Sequence, residues 1–186
     1  MKKSVSTKTA VVYMSKYGAS EKYGKIIAKK LSAHLYDLNN ITVNETLRPY
    51  SSIIWGGGIY AGKINGLDVL KKNIHALSDK RIIVFSVGNT PADRDDILEK
   101  VRDKSIPRSV QVRLQFYHFV AKSNFSCLKL SDRMVLAARR IMLLIKPDGL
   151  LTDGERLFLV NYGKDIQVID EEATEPLTKS FSERKE

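Results

Sequence analysis

Small, hydroxyl-bearing and basic residues fill a short segment near the start of the chain, "SKYGAS" from Ser15 to Ser20. It follows an uncharged apolar run and precedes apolar residues at helical spacing. A helix N-terminus presents unpaired N–H groups and a partial positive charge, and it binds phosphate when the preceding turn is small and supplies hydroxyl groups. One interpretation is therefore a phosphate site, with Lys16 adding charge and Gly18 allowing close backbone approach. The other is an ordinary helix capped by Ser20. Two glycine-rich phosphate motifs, G-x-x-x-x-G-K-[ST] and G-x-G-x-x-G, are excluded here.

A glycine-rich segment, "GGGIYAGKING" from Gly56 to Gly66, follows another apolar run. Its five glycines are costly to order unless the backbone needs unusual dihedral angles or lies against something flat. Tyr60 lies in the middle of this predicted loop, where its ring can stack on a planar ligand. The alternative is a flexible loop whose tyrosine packs on its own domain.

A third segment of small and polar residues, "VGNTPADR" from Val87 to Arg94, overlaps the end of the apolar run Arg81–Gly88, which has the clearest pattern of a buried strand in the sequence. Asn89 and Thr90 can hydrogen-bond to the edge of a ligand, and Pro91 stiffens the turn. One loop of this kind indicates little. Three such loops, each at the end of a predicted strand, indicate a single pocket between them.

The segments that position these loops alternate between strand and helix patterns. This alternation predicts an α/β fold, a doubly wound, five-stranded parallel sheet with helices on both faces. The predicted strands are Thr9–Met14, His34–Leu38, Ser51–Gly58, Arg81–Gly88 and Val110–Ala121. The predicted helices include Ser20–His34, Gly66–Leu77 and Asp93–Lys104. Ligands of such sheets bind beyond the carboxyl ends of the strands, where the three segments are expected.

Two stretches carry a family resemblance. "YMSKYGASEKYGKIIAKKL" and "SSIIWGGGIYAGKINGL" resemble the phosphate loop and the second flavin-binding loop of the flavodoxin family. Within that family the chain is similar to the branch that includes the menaquinone-dependent protoporphyrinogen oxidases, from about Thr9 to Ile106 and more loosely beyond. The resemblance implies strand order 2-1-3-4-5 and the cofactor FMN, which performs the redox chemistry without a catalytic side chain. It also implies the cofactor-binding residues Ser15, Lys16, Tyr17, Gly18, Ala19, Ser20, Gly57, Gly58, Ile59, Tyr60, Ala61, Gly62, Gly88, Asn89 and Thr90.

Some features depart from this family pattern. "HFVAKSNFSCL", His118 to Leu128, stands where relatives have a glycine-containing turn, and the tail lacks the Thr-Asp-Trp segment of the oxidase members. The three histidines, His34, His75 and His118, are scattered singly. We interpret each of them as a structural or surface residue.

Length, charge and cysteine content set broader expectations. The 186 residues are predicted to form one domain, 1–186, with flexible tails at 1–8 and from about 175 to 186. Cys127 is the only cysteine and lacks a clustered metal partner, which favours a reducing cytoplasm. No apolar run is long enough for a signal peptide core or a spanning helix. The formal net charge of +10 favours anionic partners: nucleic acid, acidic lipid, an acidic protein or a phosphorylated cofactor.

A basic helix is predicted over residues 128–146. On a helical wheel one apolar face is expected against the sheet: Leu130, Met134, Ala137, Ala138, Ile141 and Ile145. The opposite side carries Lys129, Arg133, Arg139 and Arg140, with Leu136 and Leu143 expected to be exposed beside them. Leucines among arginines are typical of a helix that lies on anionic lipid. The alternative is that a neighbouring loop or a second subunit covers those leucines.

Two classes of function follow from these patterns. The first is an FMN-binding redox protein, either an electron carrier or a small oxidoreductase that acts on a quinone or a porphyrinogen, with a redox partner protein and the membrane periphery as expected contacts. The second is a basic membrane-surface or nucleic-acid-binding protein on the same scaffold with a vestigial flavin site. The basic residues are spread over several elements and no nucleic-acid motif is present, so nucleic acid is the less favoured partner.

Overall fold

The structure, a computed structural model, describes residues 8–121, 125–164 and 169–182. It divides the chain into two compact units, one built from the residues up to Ala121 together with those from Ile169, and one built from the residues between them. The expectation of one domain over 1–186 did not include this division. Each unit has its own set of packing contacts.

The first unit contains the sheet. Its strands are β1 Thr9–Met14, β2 His34–Asp37, β3 Ser52–Tyr60, β4 Lys63–Ile64, β5 Arg81–Gly88 and β6 Gln115–Val120. Five of them are parallel, in the order β2-β1-β3-β5-β6, and the short β4 pairs antiparallel with β3. With β4 set aside, this is the predicted order 2-1-3-4-5, so the prediction of a doubly wound parallel sheet is confirmed.

Helices cover both faces of this sheet. Its helices are α1 Ala19–Leu31, α2 Val43–Thr46, α3 Leu67–Asn73, α4 Asp95–Ser105, α5 Arg108–Gln111 and α8 Glu175–Ser182. One core cluster includes residues of α3 and α4, and the other includes residues of α1 and α8. Central strands such as β5 are buried on both faces, which is why their sequences are continuous apolar runs.

Two predicted boundaries were wrong. The last parallel strand begins at Gln115 rather than Val110, because the residues after Pro107 form the short helix α5. The tail expected from about residue 175 is the helix α8 instead. Leu177 and Phe181, one helical turn apart, are buried in the core on the α1 side of the sheet, and this burial offsets the cost of ordering the segment. Residues 1–7 and 183–186 lie outside the described residues.

The second unit contains α6 Leu130–Ile145 and α7 Asp153–Asn161. The prediction of which face of α6 is buried was wrong. The face expected against the sheet is largely exposed, with Leu130 75% and Ile145 78% accessible, whereas Leu143 is buried. The reason is that aromatic rings of this unit lie against the basic side of the helix: the guanidinium of Arg139 lies over Phe158, for example. Within the described ranges, no helix is long and apolar enough to cross a bilayer.

Candidate functional site

The first predicted segment forms a turn that leads directly into α1. Gly18 is the N-cap residue, with φ 84°, and no side chain caps the first turn. A Cβ on Gly18 would meet no atom within 4 Å, so the space beside the N-cap residue is open. Because the first N–H groups of a helix have no intrahelical acceptor, those of α1 are candidate donors to a ligand.

The two serines of this segment have different environments. Ser20 is 2% exposed, and a Cβ on Gly58 would lie 3.4 Å from its Oγ, so this serine packs where the first and second segments meet. The interpretation of α1 as a helix capped by Ser20 was wrong, since no side chain accepts a cap hydrogen bond. Ser15 is half-buried at the end of β1 and is the more accessible hydroxyl of the two.

The second segment is a hairpin rather than the loop that its glycines suggested. β3 continues to Tyr60, the chain turns through Ala61 and Gly62 at φ 50° and 75°, and β4 returns along β3. The N–H of Asn65 donates to the Gly58 carbonyl at 2.9 Å, which closes the hairpin. The positive φ at Gly62 is a conformation that glycine adopts without strain.

The first two glycines of the run serve packing. A Cβ on Gly56 would overlap the Phe85 ring, and even Cε2 of that ring would lie only 2.6 Å away. A Cβ on Gly57 would overlap the backbone of Asn65 and lie 2.8 Å from Cγ2 of Ile64. The missing Cβ of Gly56 therefore leaves room for the Phe85 ring, and the missing Cβ of Gly57 leaves room for the returning strand of the hairpin.

A cation–π contact connects the first segment to the hairpin. The Lys16 ammonium lies 3.9 Å from the Tyr60 ring centroid and 5.4 Å from that of Tyr17. Tyr60 remains 40% exposed. Within the described part of the chain, the buried Tyr17 hydroxyl has no hydrogen-bond partner, so a polar ligand group could satisfy it.

The third segment leaves β5 beside the hairpin. A Cβ on Gly88 would lie 3.2 Å from Cδ1 of Ile59, so the ends of β5 and β3 are in close contact. Asn89 and Thr90 follow at the carboxyl edge of the sheet. All three predicted segments therefore meet at one edge, which provides a helix N-terminus, a half-exposed aromatic ring and a polar turn.

His118, one of the three scattered histidines, contacts the third segment. Nε2 of His118 donates to the Thr90 carbonyl at 2.9 Å, and Oγ of Ser86 lies 2.9 Å from Nδ1. Burial lowers the pKa of His118, which favours the neutral ring. Since Nε2 carries the proton, Nδ1 is the acceptor and Ser86 donates to it. Ser86 and His118 are partners in the register of β5 and β6, and the spacing of the two residues along the sequence does not reveal this pairing.

A cavity of about 200 Å³ lies on the α4 side of these strands. Its polar lining comes from Ser86, Asp95, Arg102 and His118. None of the residues implied by the family resemblance lines it. The cavity is therefore next to the third segment but is not the space in front of α1.

Comparison with known protein families gives one match to this chain. Residues 10–143 match the flavodoxin domain family, a range that spans all three segments and ends within α6. No curated protein matches the chain.

A solved structure similar to the chain is the flavodoxin, WrbA-like protein from Agrobacterium tumefaciens, at 19% identity and TM-score 0.45, covering 61% of this chain and 84% of that one. A second is the Trp repressor binding protein from Bacillus subtilis, at 13% identity and TM-score 0.49, covering 62% of this chain and 86% of that one. A third is oxidised Flavodoxin 1 from Bacillus cereus, at 16% identity and TM-score 0.39, covering 62% of this chain and 86% of that one.

Proposed function

Because the chain belongs to the flavodoxin domain family, we propose that it is a redox protein that binds FMN at the carboxyl edge of its sheet. One observation carries this proposal. The open, glycine-capped N-terminus of α1 lies beside the half-exposed Tyr60, to which Lys16 connects it. Such an edge suits a ligand with an anionic end and a planar end.

The residues of this edge divide the binding task. The first-turn N–H groups of α1 and the Ser15 hydroxyl would donate hydrogen bonds to the phosphate. Tyr60 and the turn at Asn89 and Thr90 would hold the planar ring and shield it from water. FMN, when bound, supplies the electron transfer itself, so the side chains need only bind, orient and shield it.

The finer proposal is that this protein is an electron carrier or a small oxidoreductase that acts on a quinone or a porphyrinogen. Its support is the resemblance of the chain, from about Thr9 to Ile106, to the oxidase branch of the family. A redox partner protein in the cytoplasm or a quinone is the expected partner in electron transfer. Anaerobic mixing of the reduced, FMN-loaded protein with a soluble naphthoquinone tests this extension, because rapid reoxidation is expected if a quinone is the acceptor.

Titration with FMN tests the cofactor proposal directly. We expect quenching of flavin fluorescence on binding to the wild-type protein. Ser15→Glu places a carboxylate where the phosphate is proposed, so its Kd should rise at least tenfold, about 1.4 kcal/mol. The matched control is Ser78→Glu, the same change at an exposed position before β5.

Two outcomes would refute the cofactor proposal. One is a wild-type protein, shown to be folded by circular dichroism, that leaves the flavin fluorescence unchanged. The other is an equal loss of affinity in Ser15→Glu and Ser78→Glu, which would indicate a general charge effect rather than a phosphate site. Ser15 is preferable to Ser20 for this test because a glutamate at the buried Ser20 would disturb the fold.

A further inference from the structure

One face of α6 exposes an unusual number of large apolar side chains. Four of them fall within about 60° on the helical wheel, and these four, which we call the α6 apolar face, are Leu130, Met134, Ile141 and Ile145. Each is at least 59% exposed. Met142 and Val135 widen the same surface, at 72% and 64% exposure. A contiguous apolar surface of this kind is typical of an interaction site.

The opposite side of α6 already has partners. Leu143 is 7% exposed. The guanidinium groups of Arg133 and Arg140 lie over the rings of Phe125 and Tyr162, at 5.5 Å and 4.6 Å from the centroids. The helix therefore packs through its basic side and leaves its apolar face outward.

The charges around this face indicate the chemistry of its partner. Residues 129–146 contain five Lys or Arg and a single acid, Asp132, which is buried. The exposed Arg140 and Lys129 lie about 110° and 130° from the centre of the α6 apolar face, on the same side of the helix. Long cationic side chains at these angles can place their charges at a headgroup level while the apolar side chains lie deeper.

We infer that the α6 apolar face is a docking surface for an anionic lipid membrane, on which the helix lies in the plane of the interface. At 1.5 Å per residue its 16 residues extend about 24 Å. A second copy of the chain fits less well as the partner, because two α6 apolar faces would bring the basic residues beside them, in two chains of net charge +10, close together. This inference does not depend on FMN binding.

Vesicle cosedimentation of the full chain tests this inference. We expect binding to vesicles of phosphatidylcholine with phosphatidylglycerol, little binding to phosphatidylcholine alone, and weakening by salt. Met134→Asp/Ile141→Asp should lower the partition coefficient at least tenfold. The matched control, Ala76→Asp/Val112→Asp, makes the same charge change at exposed positions of the first unit and should stay within twofold of wild type.

A second measurement keeps the inference testable if the double variant misfolds. Ile145→Trp places an indole on the apolar face, and Trp55, the only natural tryptophan, is fully buried. A blue shift of the new emission with anionic vesicles supports docking.

Four results would overturn the inference. Three concern the vesicles: no binding of the wild type to anionic vesicles, equal binding of the wild type to anionic vesicles and to phosphatidylcholine alone, or equal losses of partition coefficient in the two double variants. The fourth is a wild-type dimer that Met134→Asp/Ile141→Asp converts to a monomer. The last result would show that the partner is a second copy of the chain.

Discussion

Replacing Gly56 by alanine should destabilise the first unit strongly, because an aromatic ring occupies the space that the new Cβ would need. Gly56 on β3 is paired with Phe85 on β5, and the ring covers the place where a Cβ would be. Phe85 is fully buried and packs against Phe119 with ring centroids 5.5 Å apart. Phe119 in turn stacks on Tyr23, at 4.9 Å, so the Phe85 ring cannot move without disturbing the others.

The magnitude follows from the geometry. Carbon atoms pack best about 3.5–4.0 Å apart, and a Cβ on Gly56 would lie within 2.6 Å of Cε2 of the Phe85 ring and closer still to two of its other atoms. Overpacking typically costs about 1–3 kcal/mol, and the rigid stack of rings places this substitution at the upper end. With a urea m value of about 2 kcal/mol/M, a loss of about 3 kcal/mol lowers the midpoint by about 1.5 M.

Urea unfolding followed by the fluorescence of the buried Trp55, next to Gly56 in β3, measures this loss. Gly149→Ala is the control, since a Cβ there would meet no atom within 4 Å and its φ is not positive. Adding Phe85→Leu to Gly56→Ala should recover part of the loss, because the smaller side chain makes room. A Gly56→Ala midpoint equal to that of Gly149→Ala would refute the packing explanation.

Two further predictions concern a tyrosine of the first unit and a carboxylate of the second. The Tyr23 hydroxyl donates to the Val120 carbonyl at 2.8 Å and accepts from the Asp170 N–H at 3.1 Å; Tyr23→Phe should cost about 1–2 kcal/mol by urea unfolding, and an unchanged midpoint would contradict this. Glu155 accepts hydrogen bonds from the Lys146 ammonium, which is the main reason that its pKa falls from 4.5 to about 2. Because the folded pKa is lowered, this stabilisation is fully present above pH 4.5 and is lost as the pH falls toward 2. Circular dichroism at 222 nm should therefore show a loss of helix over that range that Glu155→Gln reduces, and identical acid profiles would refute the assignment.

The local pattern of the sequence was sufficient for the fold class. The apolar runs at β1, β3 and β5 and the helical spacing in α1 predict a parallel sheet with helices on both faces, because strand and helix periodicities are properties of neighbouring residues. The small residues from Ser15 to Ser20 and around Tyr60 were likewise visible as segments that end strands. Their convergence followed from the rule that the carboxyl ends of parallel strands meet at one edge.

Other features depended on residues far apart in the chain. Only the pairing of β3 with β5 shows that Gly56 is needed for the Phe85 ring rather than for a ligand. Only the register between β5 and β6 brings His118 to Ser86 and the third segment.

The outward face of α6 is the clearest difference between the two kinds of information. The sequence by itself determined that the helix has an apolar side and a basic side, since both follow from its 3.6-residue period. The tertiary structure decided which side is buried, because aromatic rings brought from other segments lie against the arginines. Periodicity describes one element alone, whereas burial depends on which element lies opposite it.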